Sequence, residues 1–295
     1  MSTPQNTRLG IWLMIATTVV FAAQDGISRH LADSYSVMMV VMIRFWFFAL
    51  FVLALAARGP GGLRAASRSA FPFVQLARGL ILVAEICVMV LGFVKLGLIE
   101  AHAVFTSYPL LVAALSGPIL GEKVGWRRWA AILVGFAGVL IILQPGDAVV
   151  SPWALVPLLA AFMFAVYGLL TRYVARKDPA PVSFFWTGVV GALAMTPFGL
   201  ATWTWMTPAD WGWMATLCCT AVLGHWLLIR AFAVAEASEI QPFAYLQLVF
   251  ASGIGLVIFD ETLRPNVAFG AGIVVGAGVF TLWRQRVREK AALRS

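Results

Sequence analysis

Apolar residues run along this chain in ten stretches, at roughly 9–30, 35–57, 71–94, 101–120, 128–143, 153–172, 182–201, 211–230, 240–258 and 266–283. A helix crosses about 30 Å of hydrocarbon in about 17–25 residues, and each stretch meets that length or comes close to it. The polar breaks between them are short. The longest, 58–70, is a Gly, Arg and Ser run with no room for a soluble domain. The pattern predicts an all-α polytopic membrane protein of ten transmembrane helices, with its function inside the membrane.

The pattern also repeats. Residues 92–140 return in diluted form from Ala231: at one offset of 139, Phe93 falls on Phe232, Glu100 on Glu239 and Glu122 on Glu261. Weaker matches, Phe21 with Phe164, Arg29 with Arg172 and Trp46 with Trp186, follow at offsets of 140 to 143. A duplication is predicted, with a first five-helix repeat in 1–147, a break at Gln144-Pro145-Gly146-Asp147, and a second repeat with a basic tail in 148–295. Five is odd, so the second repeat enters the membrane from the opposite side, and the two are inverted repeats with a pseudo-two-fold axis in the membrane plane. Each copy ends in a Gly-rich helix, and Gly135 with Gly138, and Gly272 with Gly276, are expected to let helices approach closely.

Composition removes the soluble classes. With 61% hydrophobic and 12% charged residues and a mean hydropathy of +0.90, the chain falls far from a soluble domain, in which about a quarter of residues are charged. The net charge of +8 does not point to nucleic acid, because the basic residues are dispersed through short connections. They read as topology: Arg58, Arg64 and Arg68, Lys123 to Arg128, Arg172 to Lys177 and the C-terminal cluster all fall on one side if the N-terminus is cytoplasmic, which puts both termini in the cytoplasm. The first helix follows MSTPQNTRLGIW without a small-residue cleavage site and is expected to be retained. Trp203, Trp205, Trp211 and Trp213 bracket an external loop as an interfacial belt. Cys87, Cys218 and Cys219 lie in apolar runs without metal-ligand spacing, so neither a disulfide nor a metal is expected. The implied partners are the lipid bilayer and a small-molecule substrate; no cofactor, nucleic acid or obligatory protein partner is implied.

Ionisable groups inside the hydrocarbon cost at least about 2.5–3.5 kcal/mol and mark interiors or wet cavities. On the first helix Thr17, Phe21, Gln24 and Ser28 share a face, with Asp25 beside it near the external end. Glu85 falls near the midplane of the third helix, and an offset of 140 makes His225 its symmetry mate. Arg44 is the expected countercharge of Glu85. Two readings stay open for this group, a structural ion pair or a proton-coupling set made of Asp25, Arg44, Glu85 and His225. Arg78 is placed to snorkel toward the cytoplasm. The fourth helix offers His102, Thr106 and Tyr108 and the ninth Tyr245, Gln247 and Ser252, with Pro109 and Pro242 as candidate hinges. Trp46, Tyr167, Phe185 and Trp186 are candidates for aromatic walls.

From Pro109 to Ile142, PLLVAALSGPILGEKVGWRRWAAILVGFAGVLII resembles the closing segment of the EamA-type repeat of the drug/metabolite transporter superfamily. IGLVIFDETLRPNVAFGAGIVVGAGVF, from Ile254, is a weaker version of it, departing where Asp260 stands in place of Gly121. The resemblance covers the whole chain and is greatest to bacterial aromatic amino-acid and drug exporters. It implies a secondary transporter of the bacterial inner membrane working by alternating access. No Walker motif is present. An intramembrane serine protease is the competing reading, on FASGIG around Ser252; the missing upstream Gly and the position of His225 before Ser252 speak against it, and no enzyme is expected. A zwitterionic cargo needs donors and acceptors at both ends and an apolar wall. Gln24, Tyr108, Tyr245 and Gln247 with Trp46, Phe185 and Trp186 would meet that need, so export of amino acids, aromatic ones included, and of related metabolites or drugs is expected. Phosphorylated cargo would need an Arg or Lys cluster that the apolar runs lack.

Overall fold

The computed structural model describes residues 6–121, 125–143, 153, 155–235, 240 and 243–292. Among them there are helices and turns and no strand. The helices are α1 (Thr7–Ala32), α2 (Val37–Arg58), α3 (Gly62–Ser67), α4 (Pro72–Leu96), α5 (Leu98–Phe105), α6 (Tyr108–Leu120), α7 (Trp126–Leu143), α8 (Leu155–Val174), α9 (Ala180–Ala201), α10 (Pro208–Val234), α11 (Leu246–Ile258) and α12 (Pro265–Ala292). Seven segments are long and apolar enough to cross a membrane, the joined stretch Leu98–Leu120 among them, and Trp129–Ile142, Leu246–Ile258 and Pro265–Phe280 are shorter apolar helices. These match the ten apolar runs. The short α3 lies in the Gly, Arg and Ser connection between the second and third runs.

The expected fourth helix is broken in two. Pro109 supplies no N–H and disfavours helical geometry at the residue before it, so the ladder stops at Thr106 and Ser107 and restarts with Pro109 in the first turn of α6. At the offset of 139, Thr106 maps to Tyr245, the N-cap residue just before α11. Two more details follow that offset. Gly121 ends α6 at φ +77°, and Asp260 takes the matching place after α11 at φ +49°, the one non-glycine residue with positive φ among those described. α7 begins at Trp126 and α12 at Pro265. The departure noted at Asp260 therefore falls on a position whose backbone suits glycine, and which Asp tolerates better than most residues.

Helix packing joins the first half of the chain to the second. The closest pairs are α7 with α12, α2 with α9, α1 with α10 and α4 with α8. Exchanging the halves maps the first two pairs onto themselves and the third onto the fourth. α7 and α12 cross at glycine, but not at the whole set expected. A Cβ on Gly138 would lie 2.8 Å from the Gly270 carbonyl oxygen, and one on Gly270 would lie 2.6 Å from that of Gly138. Gly272 and Gly276 instead face open space.

Arg78 corrects another expectation, because it does not snorkel. Its side chain has no exposed surface, and it spans the seam between halves. Nε donates to Gln75 Oε1 (3.1 Å), Nη1 to Tyr167 Oη (3.3 Å) and Thr171 Oγ1 (3.2 Å), and Nη2 to Thr187 Oγ1 (2.8 Å) and the Ser183 carbonyl. Gln75 in turn donates to Asp178 (2.9 Å) in the α8–α9 connection, which also accepts from the Ala70 N–H (2.8 Å) and the Ser69 hydroxyl. Burial alone would raise the pKa of Asp178, but the hydrogen bonds from Ser69, Gln75 and Ala70 outweigh it and hold the carboxyl below its usual range.

The glycine crossing yields a contrast. A methyl group on Gly138 or Gly270 meets backbone, which cannot turn aside, so Gly138→Ala should lower stability by about 1–3 kcal/mol, while Gly272→Ala should leave it unchanged or slightly raised. Thermal unfolding of the purified variants in one detergent checks this; equal midpoints for the two would show that the crossing is not tight.

Candidate functional site

α4 turns one stripe toward the middle of the molecule, formed by Leu82, Glu85, Ile86, Met89, Val90 and Phe93 at helical spacing. α1 faces it with Phe21, Gln24 and Asp25. These line a central cavity together with Arg44 of α2, His102 and Phe105 of α5, Phe164 of α8, His225 of α10 and Gln247 of α11. Its polar groups fall into two clusters with Glu85 between them.

In the first cluster Arg44, 3% exposed, places Nη2 at 3.3 Å from His225 Nε2. With the Gln24 amide turned so that its oxygen faces the guanidinium, Gln24 accepts from Nη1 at 3.2 Å and Nη2 at 3.0 Å. Because Arg44 can only donate, Nε2 of His225 is the lone-pair nitrogen and the ring is neutral. The buried Arg44 Nε and His225 Nδ1 have no hydrogen-bond partner among the described residues. His225 also packs against Phe21 and Phe48, with centroids at 5.4 and 5.8 Å. In the second cluster Asp25 Oδ2 lies 3.0 Å from both His102 Nε2 and Gln247 Nε2. His102 stacks on Phe93, with centroids 5.1 Å apart and planes within 9°.

Glu85 does not form the expected ion pair with Arg44: among the described residues no carboxylate oxygen comes within 4.0 Å of that guanidinium. Glu85 is 4% exposed, faces the cavity, and has no side-chain hydrogen bond to any described residue. The aromatic wall also differs from the expected one. It is built from Phe21, Phe93, Phe105 and Phe164, whereas the Trp46 indole donates to Thr196 Oγ1 (2.9 Å) and that of Trp186 to the Ser67 carbonyl (3.2 Å). Phe185 packs against the main core. Tyr167 holds Arg78. Tyr108 lies behind the wall, against Phe105 and Phe164. Tyr245 points its hydroxyl at Gly278, where no side chain stands in the way. Pro109 marks the α5–α6 break, and Pro242 lies outside the described residues. Of the expected polar residues, Gln24, Asp25, Arg44, Glu85, His225 and Gln247 do line the cavity. The link between His102 and Asp25 escaped the sequence reading, and the one available signal was a histidine on the apolar face of the fourth helix.

Both ends of the cavity are tied. At one end the Glu261 carboxylate accepts the N–H groups of Leu98 (2.8 Å) and Ile99 (2.9 Å) at the start of α5 and pairs with Arg29, with Arg264 and Glu100 paired alongside. An anion there meets two unsatisfied donors and the positive end of the helix. Gly97, at φ +83°, makes the turn that presents them, and a Cβ on it would lie 2.8 Å from Glu261 Oε1. At the other end stands the Arg78 network. The space left between them is small.

Comparison with known proteins agrees with this architecture. The profile of the EamA-like transporter family matches twice, over residues 8–144 and 151–283. The chain is 26% identical over 280 residues to the S-adenosylmethionine uptake transporter of Rickettsia prowazekii, covering 94% of this chain and 93% of that one. It is 31% identical over 193 residues to the riboflavin transporter of Vibrio cholerae, 63% of either chain, and 22% identical over 273 residues to the pseudopaline exporter of Pseudomonas aeruginosa, 91% of this chain and 94% of that one. One solved crystal structure superposes with a TM-score of 0.67 at 16% identity, over 92% of this chain and 96% of the other, which shows the fold alone.

Glu85 is a buried carboxylate without a partner, and such groups trade stability for function. Glu85→Gln should therefore be at least as stable as the parent, while Arg44→Gln, which strips a partner from Gln24 and His225, should lose about 1–3 kcal/mol. Thermal unfolding again decides, and a Glu85→Gln protein that melts well below the parent would show that this carboxylate holds the fold.

Proposed function

The chain belongs to the EamA-like transporter family, and from that premise we propose that it is a secondary transporter of the bacterial inner membrane moving amino-acid-type metabolites with an aromatic or heteroaromatic body by alternating access. The observation that carries this is the spare bonding capacity of the cavity. Glu85 offers a carboxylate with no partner among the described residues, and Arg44 keeps an unused Nε–H. A zwitterion supplies the two missing groups, an ammonium for Glu85 and a carboxylate for Arg44, while Phe21, Phe93, Phe105 and Phe164 receive the apolar part. Burying a charge without such a partner is costly, so the cargo satisfies the site as much as the site holds the cargo.

Among the relatives, S-adenosylmethionine fits this description best, since it joins an amino-acid head to a heteroaromatic base; riboflavin has the ring system but no ammonium. The amino-acid character expected from the sequence is kept, and the direction of movement follows the gradients. The competing enzyme reading gains no support, because His225 is engaged with Arg44 rather than with Ser252. The two halves are read as inverted repeats, 1–147 and 148–295, that rock about the cavity, with both termini in the cytoplasm.

Two measurements test the reading. Liposomes containing only this protein should show saturable counterflow of S-adenosylmethionine or of aromatic amino acids such as tryptophan, and less of riboflavin. Counterflow of sugar nucleotides in preference to all three would reject an amino-acid-type cargo. Reporter tags on both termini should read as cytoplasmic and one near Trp205 as external, while an external N-terminus would overturn the inverted arrangement.

A further inference from the structure

His102 has an acceptor at each ring nitrogen. Nδ1 lies 2.9 Å from the Leu98 carbonyl oxygen and Nε2 lies 3.0 Å from Asp25 Oδ2. A carbonyl oxygen only accepts, so Nδ1 carries the hydrogen. A neutral imidazole then has a bare lone pair at Nε2, and an ionised carboxylate has no hydrogen to offer it. The contact therefore contains one proton more than a neutral histidine and a carboxylate together possess. Gln247 Nε2 donates to the same oxygen at 3.0 Å, which favours the imidazolium–carboxylate form, with Oδ2 accepting twice. The Phe93 ring stacked on His102 favours a positive charge there as well. His225 is its opposite, a neutral ring accepting from Arg44. Two buried histidines face one cavity, and only His102 meets an acceptor at each ring nitrogen.

We propose that Asp25 and His102 form a proton-binding site on the transport cavity and that its proton is the coupling ion of the cycle; the coupling part rests on the transporter reading above. The step involves a single N–H or O–H bond. The proton leaves the pair for cavity water, and the Nε2 lone pair and the carboxylate are left facing each other at 3.0 Å, where they repel. α1 and α5 then part at this point, and rebinding the proton draws them together. Gln247 brings α11 into the same contact, so one proton bears on helices from both halves. The charged or titratable groups facing the site are Arg44 on α2, Glu85 on α4 and His225 on α10; α8 presents Phe164. Toward the nearer end lie Arg29, paired with Glu261, and Glu100, paired with Arg264. An ammonium entering beside Glu85 disfavours an imidazolium in the same small cavity, so cargo and proton exclude one another, and this reciprocal linkage is that of an exchanger.

The chain has only three histidines, which permits a direct test. In the full-length protein labelled with the heavy nitrogen isotope in histidine, and assigned with His30→Gln and His225→Gln, nuclear magnetic resonance should show His102 protonated at both nitrogens at neutral pH. Asp25→Asn should return it to a single tautomer. A neutral His102 in the parent, with its lone pair at Nε2, overturns the proton site, whatever the cargo turns out to be. In liposomes enclosing a pH-sensitive dye, exchange driven by S-adenosylmethionine as probe should move protons the opposite way, and the ratio of protons to probe should collapse in His102→Gln at whatever rate that variant exchanges. Probe exchange in the parent without proton movement overturns the coupling. Absence of exchange for every compound in the panel overturns the transport reading instead, while the resonance result still decides the proton site.

Discussion

A guanidinium with no surface exposed to solvent or lipid determines how the two halves meet. Arg78 has five N–H groups in a planar fork, and each is used, one within its own half and the others on Tyr167, Thr171, Ser183 and Thr187 of the second half. Losing the partners of such a group leaves a charge in a low-dielectric interior, at a cost of about 3–5 kcal/mol. α4 therefore cannot slide along α8 and α9 by small steps; it is either docked or apart. Packing of this kind is discrete, which is the property an alternating mechanism needs from its seams.

The charges along the seam divide by how fully they are satisfied. Each N–H of Arg78 has a partner and both oxygens of Asp178 accept hydrogen bonds, so their role is accounted for by the fold. Among the described residues the Nε of Arg44 and the Nδ1 of His225 lack a partner, Glu85 has no side-chain hydrogen bond, and all three residues line one cavity. Buried polar atoms without partners are uncommon in folded proteins and call for an explanation. A ligand with complementary charges is the explanation that also accounts for the cavity. Asp25 and His102 form a third kind, satisfied only while a proton is present.

Much of this was legible in the sequence, and the parts that were not share a cause. Helix positions could be read from the apolar runs, and the polar residues of the cavity because an ionisable group inside a long apolar run has few places to go. Glu85, His225 and Arg44 reached the same cavity by that logic. The pairing between them could not be read, since spacing along separate helices says nothing of rotation about their axes: Arg44 faces Gln24 and His225, and Glu85 stands apart. The aromatic wall failed for a similar reason. Trp46 and Trp186 drew attention by size, yet each turns its indole N–H to a neighbouring oxygen, while smaller and more numerous phenylalanines line the cavity. Arg78 looked close enough to an end to snorkel; Gln75, Tyr167, Thr171 and Thr187, which hold it inside, are individually unremarkable polar residues on three different helices.

The two ends of the cavity are tied with different strength, although the repeats share their geometry. The Glu261 tie has side-chain exposures of 13% for Glu261 and 18% for Arg29, so water reaches its rim, whereas the Arg78 side chain has no exposed surface. The Arg78 tie has no such route, because its groups become wet only after α4 has left α8 and α9. Parting therefore meets a lower barrier at the Glu261 end. That end is also where α5 carries His102, and the stretch from Gly97 to Thr106 is held by two electrostatic contacts, the anion at its first turn and the protonated histidine one turn further on. Removing the proton leaves the first contact alone. The break at Ser107 and Pro109 lets this short helix respond without dragging α6, whose packing against α8 is apolar and insensitive to charge.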